Sequence, residues 1–87
     1  MAGYDLALTS SAEKELKKRS GQWIALIVPR LENLAANPRP SGCKKLTGGN
    51  DEWRFRVGDY RVVYTIDDTE LLAEVTRIRH RSEVYER

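Results

Sequence analysis

The apolar residues of this chain change their period once, at about Glu52. Ahead of that point they recur at the spacing of one helix face, as in Ile24, Ile27, Leu31 and Leu34. Beyond it they alternate with polar residues, which is the pattern of a strand with one buried face. A chain patterned in this way packs helices from its first half against a sheet from its second half. The pattern therefore predicts an α+β fold.

The first half of the chain is predicted to contain one strand, two helices and a long loop. The strand covers 4–9, the first helix 12–19, the second helix about 22–36 and the loop 38–51. Ser10 and Ser11 supply capping hydroxyls ahead of the first helix. Pro29 lacks the N–H donor that the second helix needs, and we expect a kink there. Asn37-Pro38 ends that helix.

The second half is predicted to be a meander of three strands, over about 52–57, 60–66 and 70–79. Gly58-Asp59 forms a tight turn, which pairs Val57 with Tyr60 and Phe55 with Val62. We therefore expect two N-terminal helices packed on one face of a small, mainly antiparallel four-stranded sheet. A single domain is expected over residues 1–87.

The composition fits one small domain without disulfides. The chain has 87 residues, a net charge of +2 and a single cysteine, Cys43. The longest apolar run, Ile24–Val28, is too short to cross a bilayer. The N-terminus also lacks the pattern of a secretory signal. We expect a cytoplasmic protein that does not enter the membrane.

Arginines are predicted to gather on the sheet face that points away from the helices. Alternation places Arg54 and Arg56 opposite the apolar side of their strand, and Arg61 on the same outer face. The last strand adds three more on one face: Arg77, Arg79 and Arg81. Like charges side by side destabilise a sheet unless an anion bridges them. Either the cluster binds an anion, or its members pair with local acids and serve solubility.

The remaining candidate side chains are few. Tyr85 lies near the end of the chain, where its ring can stack on an unpaired base or fill the core. His80 is the only histidine and a candidate for proton transfer. Lys44 and Lys45 lie in the long loop. The sequence has no glycine-rich phosphate loop, zinc-ligand set or Ser–His–Asp arrangement. We expect neither a metal nor a cofactor.

Four blocks of the sequence resemble the RelE/ParE superfamily of toxins in their order and spacing. The blocks are Asn37-Pro38, Lys45–Gly48, Trp53–Tyr64 and His80–Tyr85. The resemblance spans nearly the whole chain. Within the superfamily, RelE-type toxins cleave messenger RNA in the ribosomal A site, and ParE-type toxins inhibit DNA gyrase.

The resemblance implies the nuclease branch, because the chain has the full set of four basic residues and one tyrosine that RelE-type toxins use. The matching residues are Arg54, Arg56, Arg61, Arg81 and Tyr85. It implies an endoribonuclease in which an RNA 2′-hydroxyl attacks the adjacent phosphate while Arg61 and Arg81 stabilise the charge. Arg79 is the alternative to Arg81. Further candidates for phosphate or proton-transfer contacts are Arg79, His80, Lys44 and Lys45.

The partners implied by the resemblance are a cognate antitoxin protein, the ribosome and messenger RNA, with operator DNA reached through the antitoxin complex. Two other functions stay open. One is a gyrase inhibitor of the ParE type, which acts by protein contact without RNA cleavage. The other is a non-catalytic RNA- or protein-binding module. The nuclease hypothesis predicts that Arg61→Ala and Tyr85→Phe abolish toxicity, and the gyrase-inhibitor hypothesis predicts that both leave it intact.

Overall fold

Two helices pack against a mixed five-stranded sheet in the computed structural model, which describes residues 3–46 and 52–80. In chain order the elements are β1 (Asp5–Leu8), α1 (Ser10–Lys17), α2 (Gly21–Ala36), β2 (Lys44–Lys45), β3 (Glu52–Val57), β4 (Tyr60–Asp67) and β5 (Leu72–His80). The strands lie in the order β1-β5-β4-β3-β2, with β1 parallel to β5 and the other neighbouring pairs antiparallel. The predicted α+β class is confirmed. Strand β2 is a fifth strand, inside the predicted loop 38–51.

The helices begin slightly earlier than the sequence predicts. Thr9, rather than Ser10 or Ser11, is the N-cap of α1, because its hydroxyl oxygen accepts a hydrogen bond from the N–H of Ala12 at 3.1 Å. Helix α2 includes Pro29 and continues to its predicted end at residue 36. Among the described helices, none combines the length and apolarity needed to span a bilayer.

The core lies between the helices and the inner face of the sheet. Alternate residues of β4 are buried, as expected for a strand covered on one face: Tyr60, Val62, Tyr64 and Ile66. Helix α2 contributes Ile27, Leu31 and Leu34. Burial of one such side chain stabilises the fold by about 1.5–3 kcal/mol. The Tyr64 hydroxyl donates to the carbonyl of Pro38 at 2.7 Å, and burial raises the pKa of Tyr64.

The turn between β3 and β4 lies at Gly58-Asp59, as predicted, with Val57 opposite Tyr60. Gly58 has a φ of 59°, in the left-handed region that favours glycine. A β-carbon on Gly58 would lie 2.6 Å from Cζ3 of Trp23. Both the backbone conformation and the contact with α2 therefore require glycine at this turn.

Strand β5 contains a bulge at Thr76. Val75 pairs with Tyr64, whereas Arg77 pairs with the residue just before Tyr64, so Thr76 has no register partner. The extra residue shifts the alternation of the strand. As a result Val75 and Ile78 are both buried in the core, and Arg77 is exposed on the outer face.

Helix α1 takes the place of a neighbouring strand along the last part of β5. Strand β1 pairs with β5 only as far as Val75. Beyond that point the carboxylate of Glu15 accepts a hydrogen bond from the N–H of Ile78 at 2.8 Å. The guanidinium group of Arg19 donates to the carbonyl of Ile78 at 2.9 Å. Glu15 in α1 and Arg19 just after it thus satisfy backbone groups that the sheet leaves unpaired.

Candidate functional site

The outer face of the sheet, turned away from the core, carries a row of three arginines. Arg61 on β4 has Arg56 of β3 as its register partner on one side and Arg79 of β5 on the other. Opposite residues on adjacent strands have their β-carbons about 4.5–5.5 Å apart. The structure therefore brings three guanidinium-bearing side chains together from three strands.

The neighbouring row of the same face adds three more cations: Lys44, Arg54 and Arg77. We call these six side chains the cationic face. The next row holds Glu52 and Glu74 on either side of Thr65. Acidic residues thus lie at the far end of the outer face and are not interleaved with the cations. The charges are segregated along the strands although the net charge is small.

Arg79 is held by a carboxylate from α1. Its Nε donates to Oε2 of Glu15 at 3.0 Å. This contact uses Nε and not the two terminal nitrogens, and 40% of the Arg79 side chain is exposed. Arg54 and Arg56 form no ion pair with a carboxylate in residues 3–46 or 52–80. Among the residues that the structure describes, Glu15 therefore neutralises the Arg79 end of the row, and no carboxylate pairs with the Arg56 end.

Two of the candidate residues point to the opposite side of the sheet from Arg61. Lys45 is the register partner of Trp53, and His80 is the register partner of the buried Tyr60. The rings of His80 and Tyr60 meet edge to face, with their centroids 5.2 Å apart. The structure therefore separates Lys45 and His80 from the cationic face.

Arg81 and Tyr85 lie outside the described residues, and their roles stay predictions. Sequence reasoning missed two residues that the structure brings to this region, Glu15 and Arg30. Glu15 lies 64 residues from Arg79 along the chain, and no period or motif relates them. Arg30 could have been found from the sequence, because it lies next to the apolar stripe of α2 that packs on the sheet.

A cleft of about 440 Å³ opens beside the cationic face, at the edge of β3 where β2 ends. It is lined by Arg30, Ser41, Gly42, Lys44, Arg54, Phe55 and Arg56. Four of these residues are cationic, and no carboxylate occurs among the described residues of the lining. The guanidinium carbon of Arg30 lies 5.2 Å from the centroid of the Phe55 ring. We call this feature the edge cleft.

The chemistry of the cationic face is that of an anion site. Guanidinium groups bind phosphate through paired N–H donors and keep their charge at any physiological pH. Preorganised donors of this kind stabilise the negative charge that develops when a phosphate is attacked. Within the part of this face that the structure describes, no side chain has an ordinary pKa near neutrality.

Comparisons with known proteins agree with this architecture. The family model described as the ParE toxin of a type II toxin–antitoxin system matches residues 6–85. The isolated RelE toxin of E. coli is 28% identical with a TM-score of 0.78, and the match covers 94% of this chain and 90% of that chain. A chain of the RelBE2 toxin–antitoxin complex from Mycobacterium tuberculosis is 27% identical with a TM-score of 0.80, covering 91% and 99%.

The fold is also shared with the archaeal RelE–RelB complex from Pyrococcus horikoshii, at 24% identity, a TM-score of 0.81 and coverage of 91% of this chain and 96% of that chain. Comparison with curated protein sequences gives no significant match. Two helices against a mixed sheet of this shape define the class of RelE-like toxin folds. Because the family match spans nearly the whole chain, the protein belongs to the RelE/ParE superfamily of type II toxin–antitoxin toxins.

Proposed function

We propose that this toxin cleaves messenger RNA on the ribosome and that the cationic face is its RNA-binding surface. The observation that supports the proposal is the row of Arg56, Arg61 and Arg79, in which three strands bring like charges side by side. Like charges side by side on adjacent strands repel one another. A phosphodiester lying across the row relieves the repulsion, and RNA is the polyanion that the RelE-type resemblance implies.

The proposed reaction is the attack of an RNA 2′-oxygen on the adjacent phosphorus. The bond from phosphorus to the 5′-oxygen of the next nucleotide breaks, and a 2′,3′-cyclic phosphate forms. One proton leaves the 2′-hydroxyl and one is gained by the departing 5′-oxygen. Arg61, in the middle of its row, is suited to hold the non-bridging phosphate oxygens. We assign Arg81 to the same phosphate and Tyr85 to stacking on a neighbouring base.

Proton transfer is the step for which the described part of the cationic face has no suitable side chain. Arginine keeps its proton below a pH of about 12, and His80 lies on the other side of the sheet. We propose that the ribosome compensates by holding the message in line for attack. Orientation of this kind lowers a barrier by as much as about 7–11 kcal/mol. Activity that depends on the ribosome follows from this division of roles.

A cognate antitoxin is the proposed partner when the toxin is inactive, because the similar M. tuberculosis structure is a toxin–antitoxin complex. Operator DNA is reached through that complex in this proposal, with the DNA contacts coming from the antitoxin. The proposed place of action is the cytoplasm, where the ribosome and the message meet.

Inhibition of DNA gyrase is the second candidate function. It is favoured by the description of the matching family, which is that of ParE toxins. A gyrase inhibitor acts by protein contact and needs no catalytic group on the outer face of the sheet. The two candidates therefore differ in whether the arginine row takes part in toxicity.

A cell-free translation reaction separates these candidates. Purified toxin is added and the ends of the message are mapped by primer extension, while parallel samples contain purified gyrase with plasmid DNA, or free RNA alone. Our proposal expects new message ends within ribosome-covered codons, unchanged supercoiling and intact free RNA. Lost supercoiling with intact message supports the gyrase inhibitor instead. Free RNA cut as fast as ribosome-bound message contradicts the proposed role of the ribosome.

A further inference from the structure

We infer that the edge cleft is a second phosphate-binding site, which carries the RNA backbone off the cationic face, and that Arg30 is a phosphate ligand there. The inference rests on the proposed function for the identity of the polyanion. It rests on the cleft itself for the position and chemistry of the site.

The edge cleft and the cationic face share two residues. Arg54 and Arg56 belong to the outer face of β3 and also line the cleft. The cleft continues from them around the edge of β3 to Arg30 on α2. Among the described residues, β2 pairs with β3 at Trp53 and Arg54 and leaves the edge of β3 beyond Arg54 unpaired. A strand of RNA that crosses the sheet from β5 toward β3 therefore meets the cleft next.

The lining of the cleft suits a phosphodiester. Its four cations come from three different elements, and carboxylates are missing from its described lining. Ser41 adds a hydroxyl group, and the backbone of Gly42 is open to approach, because nothing lies within 4 Å of the position that a β-carbon would occupy. A ligand with concentrated negative charge and several acceptor oxygens matches this set of donors.

Arg30 is an exposed side chain of α2 that contacts the aromatic core beside the cleft. Its guanidinium group lies over the Phe55 ring at 5.2 Å, and Phe55 is only 2% exposed, so the ring is a fixed platform. A guanidinium group has five N–H donors, and contact with an aromatic ring leaves donors available to a ligand. The contact with Phe55 thus holds the Arg30 charge at the lining of the cleft. An acidic protein segment is the other polyanion of suitable charge, and continuity with the cationic face favours RNA.

The test is equilibrium binding of a fluorescent 2′-O-methyl oligoribonucleotide of about eight nucleotides, which lacks the attacking hydroxyl, across about 50–300 mM KCl. Arg30→Met keeps an apolar stem over Phe55 and removes the charge, and Arg30→Lys restores the charge. Lys17→Met is the matched control, because Lys17 is an exposed cation of α1 outside the cleft lining.

We expect Arg30→Met to weaken binding roughly three- to tenfold, for any RNA sequence, and to lower the slope of log affinity against log salt by about 0.7. Arg30→Lys should recover most of the slope, and Lys17→Met should change neither quantity. Unchanged affinity and slope in a natively folded Arg30→Met protein would overturn the inference.

A second competitor tests the class of ligand. If a poly-glutamate peptide of equal charge binds the wild type more tightly than the RNA does, and Arg30→Met removes that preference, the cleft is a carboxylate site and the inference fails. The result is separable from the proposed function. If Arg30→Met weakens RNA binding but the wild type cuts no message in translation, the cleft is supported and the proposed nuclease activity is contradicted. If the wild type cuts message and Arg30→Met leaves RNA binding unchanged, only the inference about the edge cleft is contradicted.

Discussion

Arg56 and Arg61 are direct register partners in the hairpin of β3 and β4, two like charges facing each other beside a tight turn. Neighbouring strands lie only about 4.8 Å apart, so repulsion between these side chains opposes the pairing that the hairpin needs. An acidic residue at either position would stabilise the empty sheet. The arrangement is instead suited to a bound polyanion, which both charges attract.

The first prediction concerns the stability cost of this pair. Replacing Arg56 by Thr removes the repulsion and keeps a residue that favours strands, so the free energy of unfolding should rise by about 0.2–1 kcal/mol at low salt. The gain should shrink in about 1 M salt, where the screening length falls to about 3 Å. Urea unfolding at both salt concentrations measures this. The control is Arg77→Thr, whose register partner is Val63. A gain for Arg56→Thr that salt leaves unchanged contradicts the explanation.

The second prediction concerns Glu15, which accepts hydrogen bonds from the N–H of Ile78 and from Arg79. Glu15→Ala leaves that N–H without its partner and should lower the free energy of unfolding by about 1–3 kcal/mol. Glu15→Gln keeps one acceptor oxygen and should lose less. Urea unfolding gives the energies, and faster amide exchange at Ile78 locates the change.

Lys14→Ala is the control for this series, because Lys14 is an exposed neighbour on the same helix and its loss should change stability by no more than about 0.5 kcal/mol. Equal effects of Lys14→Ala and Glu15→Ala would show that α1 does not satisfy the edge of β5 through this carboxylate.

The third prediction compares two glycines with positive φ, Gly58 at 59° and Gly42 at 89°. Alanine at either position carries a left-handed penalty of about 1–2 kcal/mol. Only at Gly58 does the new methyl group also meet the Trp23 ring, so Gly58→Ala should cost at least about 1 kcal/mol more than Gly42→Ala. Denaturant unfolding of both variants checks the difference. Equal losses would mean that Trp23 moves away without cost.

The fourth prediction is a pH dependence. The guanidinium group of Arg39 donates to Asp68 at 3.0 Å, and it is the largest cause that holds the pKa of this carboxyl below its usual 3.8. A depressed folded pKa gives stability that is present above about pH 4 and is lost as the pH falls through the folded value. The urea midpoint of the wild type should therefore fall more steeply below pH 4 than that of Asp68→Asn.

Arg39, the ion-pair partner of Asp68, supplies the control for the pH experiment. In an Arg39→Gln background, Asp68→Asn should change the acid limb of the stability curve much less than it does in the wild type. Parallel acid limbs for the wild type and Asp68→Asn would show that this exposed ion pair contributes nothing to folding.

The hairpin could be predicted from the sequence because its signals are local. Gly58-Asp59 marks the turn, and its length fixes the register of the two strands. Once the register is fixed, a period of two assigns Arg54, Arg56 and Arg61 to the outer face.

Features that depend on contacts between distant residues could not be predicted. The bulge at Thr76 inserts one residue into the alternation of β5, and no period reveals it. Strand β2 has only Lys44 and Lys45, too few residues for a pattern. Glu15 reaches Arg79 across 64 residues of sequence. The edge cleft likewise combines α2 with β3, which are joined only by the tertiary fold.

The most direct test of the central claim is the rate at which ribosome-bound message is cut by the wild type, by Arg61→Ala and by Arg39→Ala. Arg39 is a suitable control because it pairs with Asp68 and lies over the Trp53 ring, outside the cationic face. With all three proteins shown to be folded, Arg61→Ala should cut about 10²–10³-fold more slowly, as expected for the loss of a donor that stabilises developing charge. Arg39→Ala should cut at the wild-type rate. A fully active Arg61→Ala protein would contradict the assignment of this face to RNA cleavage.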